Sequence, residues 1–204
     1  MTEIGLFPLG IVLVPGEQIP LHIFEPRYKE LIGGCLEHEE TFGLVLADDE
    51  GMREVGTHAA VIEVLERFPD GRLNIVVEGR ARFRIVRETS GSPFTTAEVA
   101  ALDDDEGEPP SEEEVRACRD AYARVLEAAE AEPEELDIDS GNIAFQIVAR
   151  IEIGASSKQR VLELVSERER LRFLAPLLVE AAEALERGRT ISQRAMTNGH
   201  VERP

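Results

Sequence analysis

Apolar positions in the first half of the chain mostly alternate with the period of strands, and those in the second half recur with the period of helices. Ile11–Val14 is a short β-branched run, Ile19–Phe24 alternates in part, and Phe42–Ala47 is a further apolar run bounded by polar residues; each predicts a strand. One helix interrupts them. Pro26 suits a first helical position, and Tyr28, Leu31, Ile32, Cys35 and Leu36 follow at spacings that stack on one face. Gly33-Gly34 inside that stretch costs roughly 1 kcal/mol per glycine relative to alanine, so the helix needs tertiary support. From Val55 the alternation sharpens: Val61, Val64 or Leu65, and Phe68 lead into the turn tripeptide Pro69-Asp70-Gly71. Leu73, Ile75 and Val77 then form one face of a returning strand. Gly79 is expected to break this strand before Ala81, Phe83 and Ile85 alternate with Arg80, Arg82 and Arg84, an arginine face expected in solvent or beside glutamates of a neighbouring strand. With Phe94–Leu102 as a last strand, the pattern predicts about six short strands and one helix, arranged as a small, partly closed barrel.

Asp103-Asp104-Asp105-Glu106-Gly107-Glu108-Pro109-Pro110 is a self-repelling stretch expected to act as a linker. Beyond it the period is 3.6. Ser111 with Glu114 matches a capping box ahead of Val115, Cys118, Tyr122 and Val125-Leu126, and Pro133 is expected to end that helix. Ile143, Ile147, Val148 and Ile151 mark a second helix. Ser156-Ser157 are expected to cap a third, and Ser166 to Glu169 to launch a long one through Leu171, Leu174, Leu178, Ala182 and Leu185, kinked at Pro176. The expected organisation is α+β: a β lobe over residues 1–102, a linker at 103–110, a helical bundle at 111–187 and a disordered tail at 188–204.

Charge narrows the choice of partners. The net charge of −19 is a field that repels phosphate backbones and anionic lipid, so neither nucleic acid nor a membrane is an expected partner. The charge is uneven, at −8 over residues 1–102, −13 over 103–149 and +2 over 150–204, so the middle of the chain is an acidic band. No apolar run approaches the roughly 20 residues that span a bilayer, and no basic-then-apolar leader precedes the first strand-like segment; a cytoplasmic protein is expected. Cys35 and Cys118 are expected as free thiols, and the scattered His22, His38, His58 and His200 suggest no metal site.

The chain holds no GxxxxGK[ST], GxGxxG or HExxH motif and no GxSxG elbow. The remaining candidates for chemistry read more simply as structure: His22 beside Glu25 as a packing histidine, Asp48-Asp49-Glu50 and Asp103–Glu106 as solvated loops, and Lys158 beside Ser156-Ser157 as part of a helix start. No catalytic residue and no cofactor are expected.

The order of segments carries more information than any single motif. Leu6-Phe7-Pro8-Leu9-Gly10-Ile11-Val12-Leu13-Val14-Pro15-Gly16 followed by Ile19-Pro20-Leu21-His22-Ile23-Phe24-Glu25-Pro26-Arg27-Tyr28 closely resembles the start of the amino-terminal, substrate-binding domain of Lon protease in its stand-alone form. Asp70–Ile75, Glu78–Ile85, Ser156–Glu163 and Glu169–Leu171 are similar to later segments of that family, and the resemblance covers residues 4–187. It implies a PUA-like pseudo-barrel lobe joined to a helical bundle. The ATPase P-loop and the Ser-Lys protease module of full-length Lon are absent from these 204 residues, so the expectation is a non-catalytic module that binds unfolded or degron-bearing polypeptide. A scaffold for one folded protein partner is the alternative, and a small-molecule binder using a cleft between lobes a lesser one. Phe7, Leu9, Leu21, Ile23 and Phe24 each read singly as core packing between strand and helix, and Phe24 and Tyr28 are the residues chosen for a contact surface.

Overall fold

A computed structural model of the chain describes residues 2–89, 93–132 and 135–198. The chain divides into two compact units, Met1–Asp105 with Phe145–Val165, and Glu106–Ala144 with Ser166–Pro204.

Six strands build the first unit: β1 (Thr2–Leu9), β2 (Gln18–Ile23), β3 (Phe42–Asp48), β4 (Gly51–Arg67), β5 (Leu73–Thr89) and β6 (Thr96–Ala101). They hydrogen-bond in the order β2-β5-β4-β3-β1-β6, and β6 pairs again with β5, so five strands close into a ring with β2 on its flank. β1 and β3 run parallel and the other neighbours antiparallel. Alternation along β1 serves two cores. Leu6 points among Ile4, Val45, Phe83 and Val99, whereas Phe7 points among Leu13, Ile23, Phe42 and the buried face of α1 (Pro26–His38). That face is Tyr28, Leu31, Ile32 and Cys35, as the spacing predicts.

Three details of this unit depart from the sequence reading. Ile11–Val14 is no strand. Its buried backbone is satisfied by side chains instead, with Val14 N donating to Glu17 Oε2 at 3.0 Å and Leu13 O accepting from Thr57 Oγ1 at 2.6 Å. The strand lies earlier, at Thr2–Leu9. Nor does Gly79 end a strand: β4 and β5 are 17 residues each, not short, and β5 runs straight through it. The arginine face splits. Arg80 pairs with Glu78 and Arg84 with Glu54 on the neighbouring strand, but Arg82 is buried, donating to Leu162 O at 2.8 Å and Leu164 O at 2.7 Å and pairing with Asp104.

Arg82 explains why Phe145–Val165 belongs with the β unit rather than with a helical bundle over 111–187. This segment carries the end of α3 (Ile143–Val148) and all of α4 (Ala155–Glu163), and it buries Phe145, Ile147, Val148, Val161 and Leu162. Gln159 Nε2 donates to Val55 O at 3.1 Å, and Lys158 Nζ pairs with the buried Glu17. α4 starts at Gly154 without a side-chain cap, so Ser156 and Ser157 lie inside the helix and do not cap it. The linker expected at 103–110 also starts docked: Asp104 holds Arg82, and Asp105 N donates to Val165 O at 2.8 Å.

The second unit is built on α2 (Glu112–Ala129) and α5 (Glu167–Asn198). Ser111 forms the expected capping box, its Oγ accepting from Glu114 N at 3.2 Å while Glu114 Oε2 accepts from Ser111 N at 2.7 Å. Cys118, Tyr122 and Val125 of α2 and Leu171, Leu174, Leu178 and Ala182 of α5 are buried, while Leu185 is exposed. Arg170 is fully buried beside Glu167, which also accepts from Ala144 N at 2.8 Å. α2 ends at Glu130 in a left-handed conformation; Pro133, expected to end it, lies outside the described residues. α5 passes through Pro176 and continues to Asn198, so residues 188–198 of the expected disordered tail are helical; residues 199–204 lie outside the described ones.

Candidate functional site

Phe24 and Tyr28, four residues apart, go to opposite environments. Tyr28 is 5% exposed, its ring stacked on Phe7 at 4.0 Å between centroids, and burial raises its hydroxyl pKa. It is a core residue and leaves the contact surface for which it was chosen. Phe24 is 59% exposed, more than any other large apolar side chain described. The cause is local. Ile23 is the last residue of β2 and Pro26 the first of α1, so the two-residue corner between them throws Phe24 outward.

Phe24 has aromatic company. The His22 ring lies 5.9 Å from it in a stacked arrangement, and Phe68, at the tip of the β4–β5 hairpin, meets His22 edge-on at 6.1 Å. The Arg72 guanidinium sits 4.8 Å above Phe68. His22 Nδ1 is 2.6 Å from Asn74 Oδ1, and Asn74 Nδ2 donates to Glu66 Oε2 at 3.1 Å, a polar row across β2, β5 and β4. Glu25 pairs with Arg27 and not with His22, and His22, expected as a packing residue, is exposed.

Among the described residues β2 pairs with β5 alone and is an edge. Gly79 N donates to Glu17 O at 2.9 Å, which sets the alternation of the ladder: Ile19, Leu21 and Ile23 direct their backbone groups to β5, and Gln18, Pro20 and His22 direct theirs away. Those same three residues are exposed, whereas Ile19, Leu21 and Ile23 are buried or half-buried. Pro20 has no N–H, so the outward edge offers the N–H groups of Gln18 and His22 and three carbonyls. Ile62 and Leu65 are exposed on β4, each at a register shift opposite β5. The periodicity gave no sign of them, because a bulge turns the alternation over without marking the sequence.

The other candidate chemistry is spent on structure. Asp48 and Glu50 both bind Arg53, and Asp104 binds Arg82. Burial pushes the Cys35 thiol up to about 11 and the Cys118 thiol up to about 12, which leaves neither nucleophilic at neutral pH. Among the described residues no group of three or more His, Cys, Asp or Glu side chains is gathered as a metal would require, and no helix is long and apolar enough to cross a membrane.

The first unit thus combines a closed strand ring, an edge strand and an exposed aromatic corner. The chain belongs to the family of the ATP-dependent protease La (LON) substrate-binding domain, which it matches over residues 3–180. It is 25% identical to the Lon protease of Cytophaga hutchinsonii over 93% of this chain and 25% of that protein. To the Lon protease of Escherichia coli K12 it is 26% identical, over 94% of this chain and 26% of that protein. The chain thus spans about a quarter of the length of these relatives, and the shared quarter is the substrate-binding domain. Among solved structures, a Lon N-terminal domain protein from Xanthomonas campestris superposes with a TM-score of 0.66 at 23% identity, covering 84% of this chain and 96% of its own. The N-terminal domain of the Lon protease of the Mycobacterium avium complex gives 0.63 at 19% identity, covering 87% and 98%. These two share the fold.

Proposed function

We propose that the chain binds extended, unfolded or degron-bearing polypeptide along the free edge of β2, with Phe24 as the apolar contact at its end. The observation that carries this reading is the coincidence, in a substrate-binding family, of an unpaired strand edge with the most exposed aromatic side chain described. An extended client adds to the edge through Gln18 and His22, and its side chains meet Phe24, Phe68 and the exposed His22. Pro20 limits the number of hydrogen bonds, which keeps such binding weak and reversible and discourages permanent pairing with another edge. With His22 Nδ1 held by Asn74 Oδ1, the ring's Nε2 provides a polar contact that does not depend on client sequence. The reading requires no chemistry from the chain.

The test is a titration of the protein against a labelled, permanently unfolded polypeptide and its folded counterpart, read by fluorescence anisotropy. Selective binding of the unfolded form is expected. Phe24→Asp, at an exposed corner that spares the fold, is expected to weaken it by roughly tenfold, about 1.4 kcal/mol. Binding to neither form overturns the reading and leaves a dedicated folded partner as the occupant of this surface.

A further inference from the structure

A second, chemically different groove opens in the same unit, on β1. β1 outruns β3: the parallel register begins at Leu6↔Gly43, so Thr2–Gly5 pair with β6 on one side and, among the described residues, have no strand partner on the other. Beside that unpaired stretch lies a cleft of about 690 Å³, bounded by the last turns of α1 and the residues that follow it. Its floor is apolar, formed by Leu31, Cys35 and Phe94 of the core that α1 covers. Its walls are acidic. Glu3, Glu30, Glu39 and Glu40 all line it, and among the described lining residues there is no lysine or arginine.

The placement of these carboxylates follows from the backbone. Glu39 caps α1 in a left-handed conformation with φ 53°, and Glu40 N folds back to donate to Cys35 O at 3.0 Å, so the chain turns sharply and sets both side chains beside the cleft. Glu3, on the β1 wall, accepts from Thr89 Oγ1 at 2.6 Å and Thr96 Oγ1 at 3.2 Å; these bonds hold its pKa below the ordinary value, so it is charged. Arg87 is close enough to act on Glu3 electrostatically but makes its own ion pair with Glu98. Among the described residues Glu30, Glu39 and Glu40 are in no ion pair. His58, on the lining, is held toward its neutral form, since burial lowers its pKa. The four carboxylates are too widely spread to share one metal ion. They suit a ligand whose positive charges are themselves spread along a chain.

We infer that this cleft binds a basic, extended polypeptide segment, with its backbone against the unpaired Thr2–Gly5 edge, its apolar side chains over Leu31 and Phe94, and its lysines or arginines toward Glu3, Glu30, Glu39 and Glu40. The ligand shares with the β2 edge only its extended form; the surface and the selecting charge are different. The segment alternates apolar and basic residues, because a strand laid on β1 presents successive side chains to the floor and to the walls.

The experiment uses the full chain and three labelled peptides of equal length that alternate alanine with lysine, glutamine or glutamate. Binding is followed by anisotropy at roughly 0.05 M and 0.5 M salt, where the screening length shortens from beyond 10 Å to a few Å. The lysine peptide is expected to bind roughly tenfold or more tighter than the glutamine peptide at low salt and to lose that advantage at high salt. The triple variant E30Q/E39Q/E40Q removes the preference. The charge-matched D49N/E50Q/E63Q, on exposed residues of the same unit that do not line the cleft, keeps it within about twofold. Amide resonances of Thr2–Ile4 shift on adding the lysine peptide to the wild type. Equal loss in both triple variants, or no preference for lysine in the wild type, overturns the assignment. F24D keeps lysine-peptide binding while losing the unfolded client, so failure at the β2 edge and failure at this cleft give separate signatures.

Discussion

Gly79 shows how far a single residue's meaning depends on what lies across from it. A Cβ built there falls 2.1 Å from Val14 O and 2.9 Å from Val14 C, both backbone atoms, so nothing flexible can yield. The close approach is held from both sides, by Gly16 N donating to Gly79 O at 2.8 Å and Gly79 N donating to Glu17 O at 2.9 Å. Gly79→Ala is therefore expected to destabilise the β unit by about 3 kcal/mol, at the upper end of overpacking costs, with the denaturation midpoint as the readout. An unchanged midpoint would show that the Gly10–Gly16 loop moves aside freely. The sequence announces a glycine within an alternating run but not the loop that crosses it, so a break was the natural reading. Phe24 and Tyr28 teach the same lesson. Both are aromatic and four residues apart, and only the placement of Phe7 against Tyr28, brought from another strand, separates core from surface.

At the scale of elements, what was legible is what neighbours in sequence decide. The face of α1 and the capping box of α2 follow from spacings of three and four residues, and both form as expected. What was hidden needs distant partners: the β1 strand completed by β3 and β6, the bulges of β4, and the loop at Ile11–Val14 satisfied by Glu17 and Thr57. The capping box also carries a pH signature. The Glu114 carboxyl is held at about 2 against an ordinary 4.5, first by the Ser111 N–H and then by Arg168 and Arg172. Because the folded state binds this proton less readily than the unfolded chain, the group's contribution is complete above about pH 4.5 and disappears as pH falls toward about 2. The stability difference between wild type and Glu114→Gln, from urea unfolding at a series of pH values, is expected to shrink steadily across that window. A difference that stays constant from pH 5 to pH 2 would mean that the charge of Glu114 contributes nothing.

For the whole molecule, the consequential feature is that sequence order and spatial order disagree. Composition places a boundary near residue 103, where alternation stops and acidic residues crowd together, yet the β unit reclaims Phe145–Val165 from beyond it. Charge alone argued that Asp103–Glu106 could not dock; a buried arginine on β5 reverses that, because Asp104 supplies the counter-charge that burial of Arg82 demands. Its Nη1 donates to Leu162 O and Leu164 O, so two segments of the chain, far apart in sequence, converge on one cation. A fragment ending at residue 105 keeps every strand but loses both carbonyl acceptors of Arg82, the Gln159 bond to Val55 O and the Lys158 partner of Glu17. It leaves Glu17 as a buried carboxylate without its cation, a loss that typically costs about 3–5 kcal/mol, comparable to the whole stability of a small domain. Residues 1–105 are therefore expected not to unfold cooperatively when expressed alone, whereas the same fragment joined through a short flexible linker to residues 145–165 regains a sigmoidal melt by circular dichroism. A cooperative melt of 1–105 alone would show that the strand ring is self-sufficient and that Arg82 only tethers the later segment to a unit already folded.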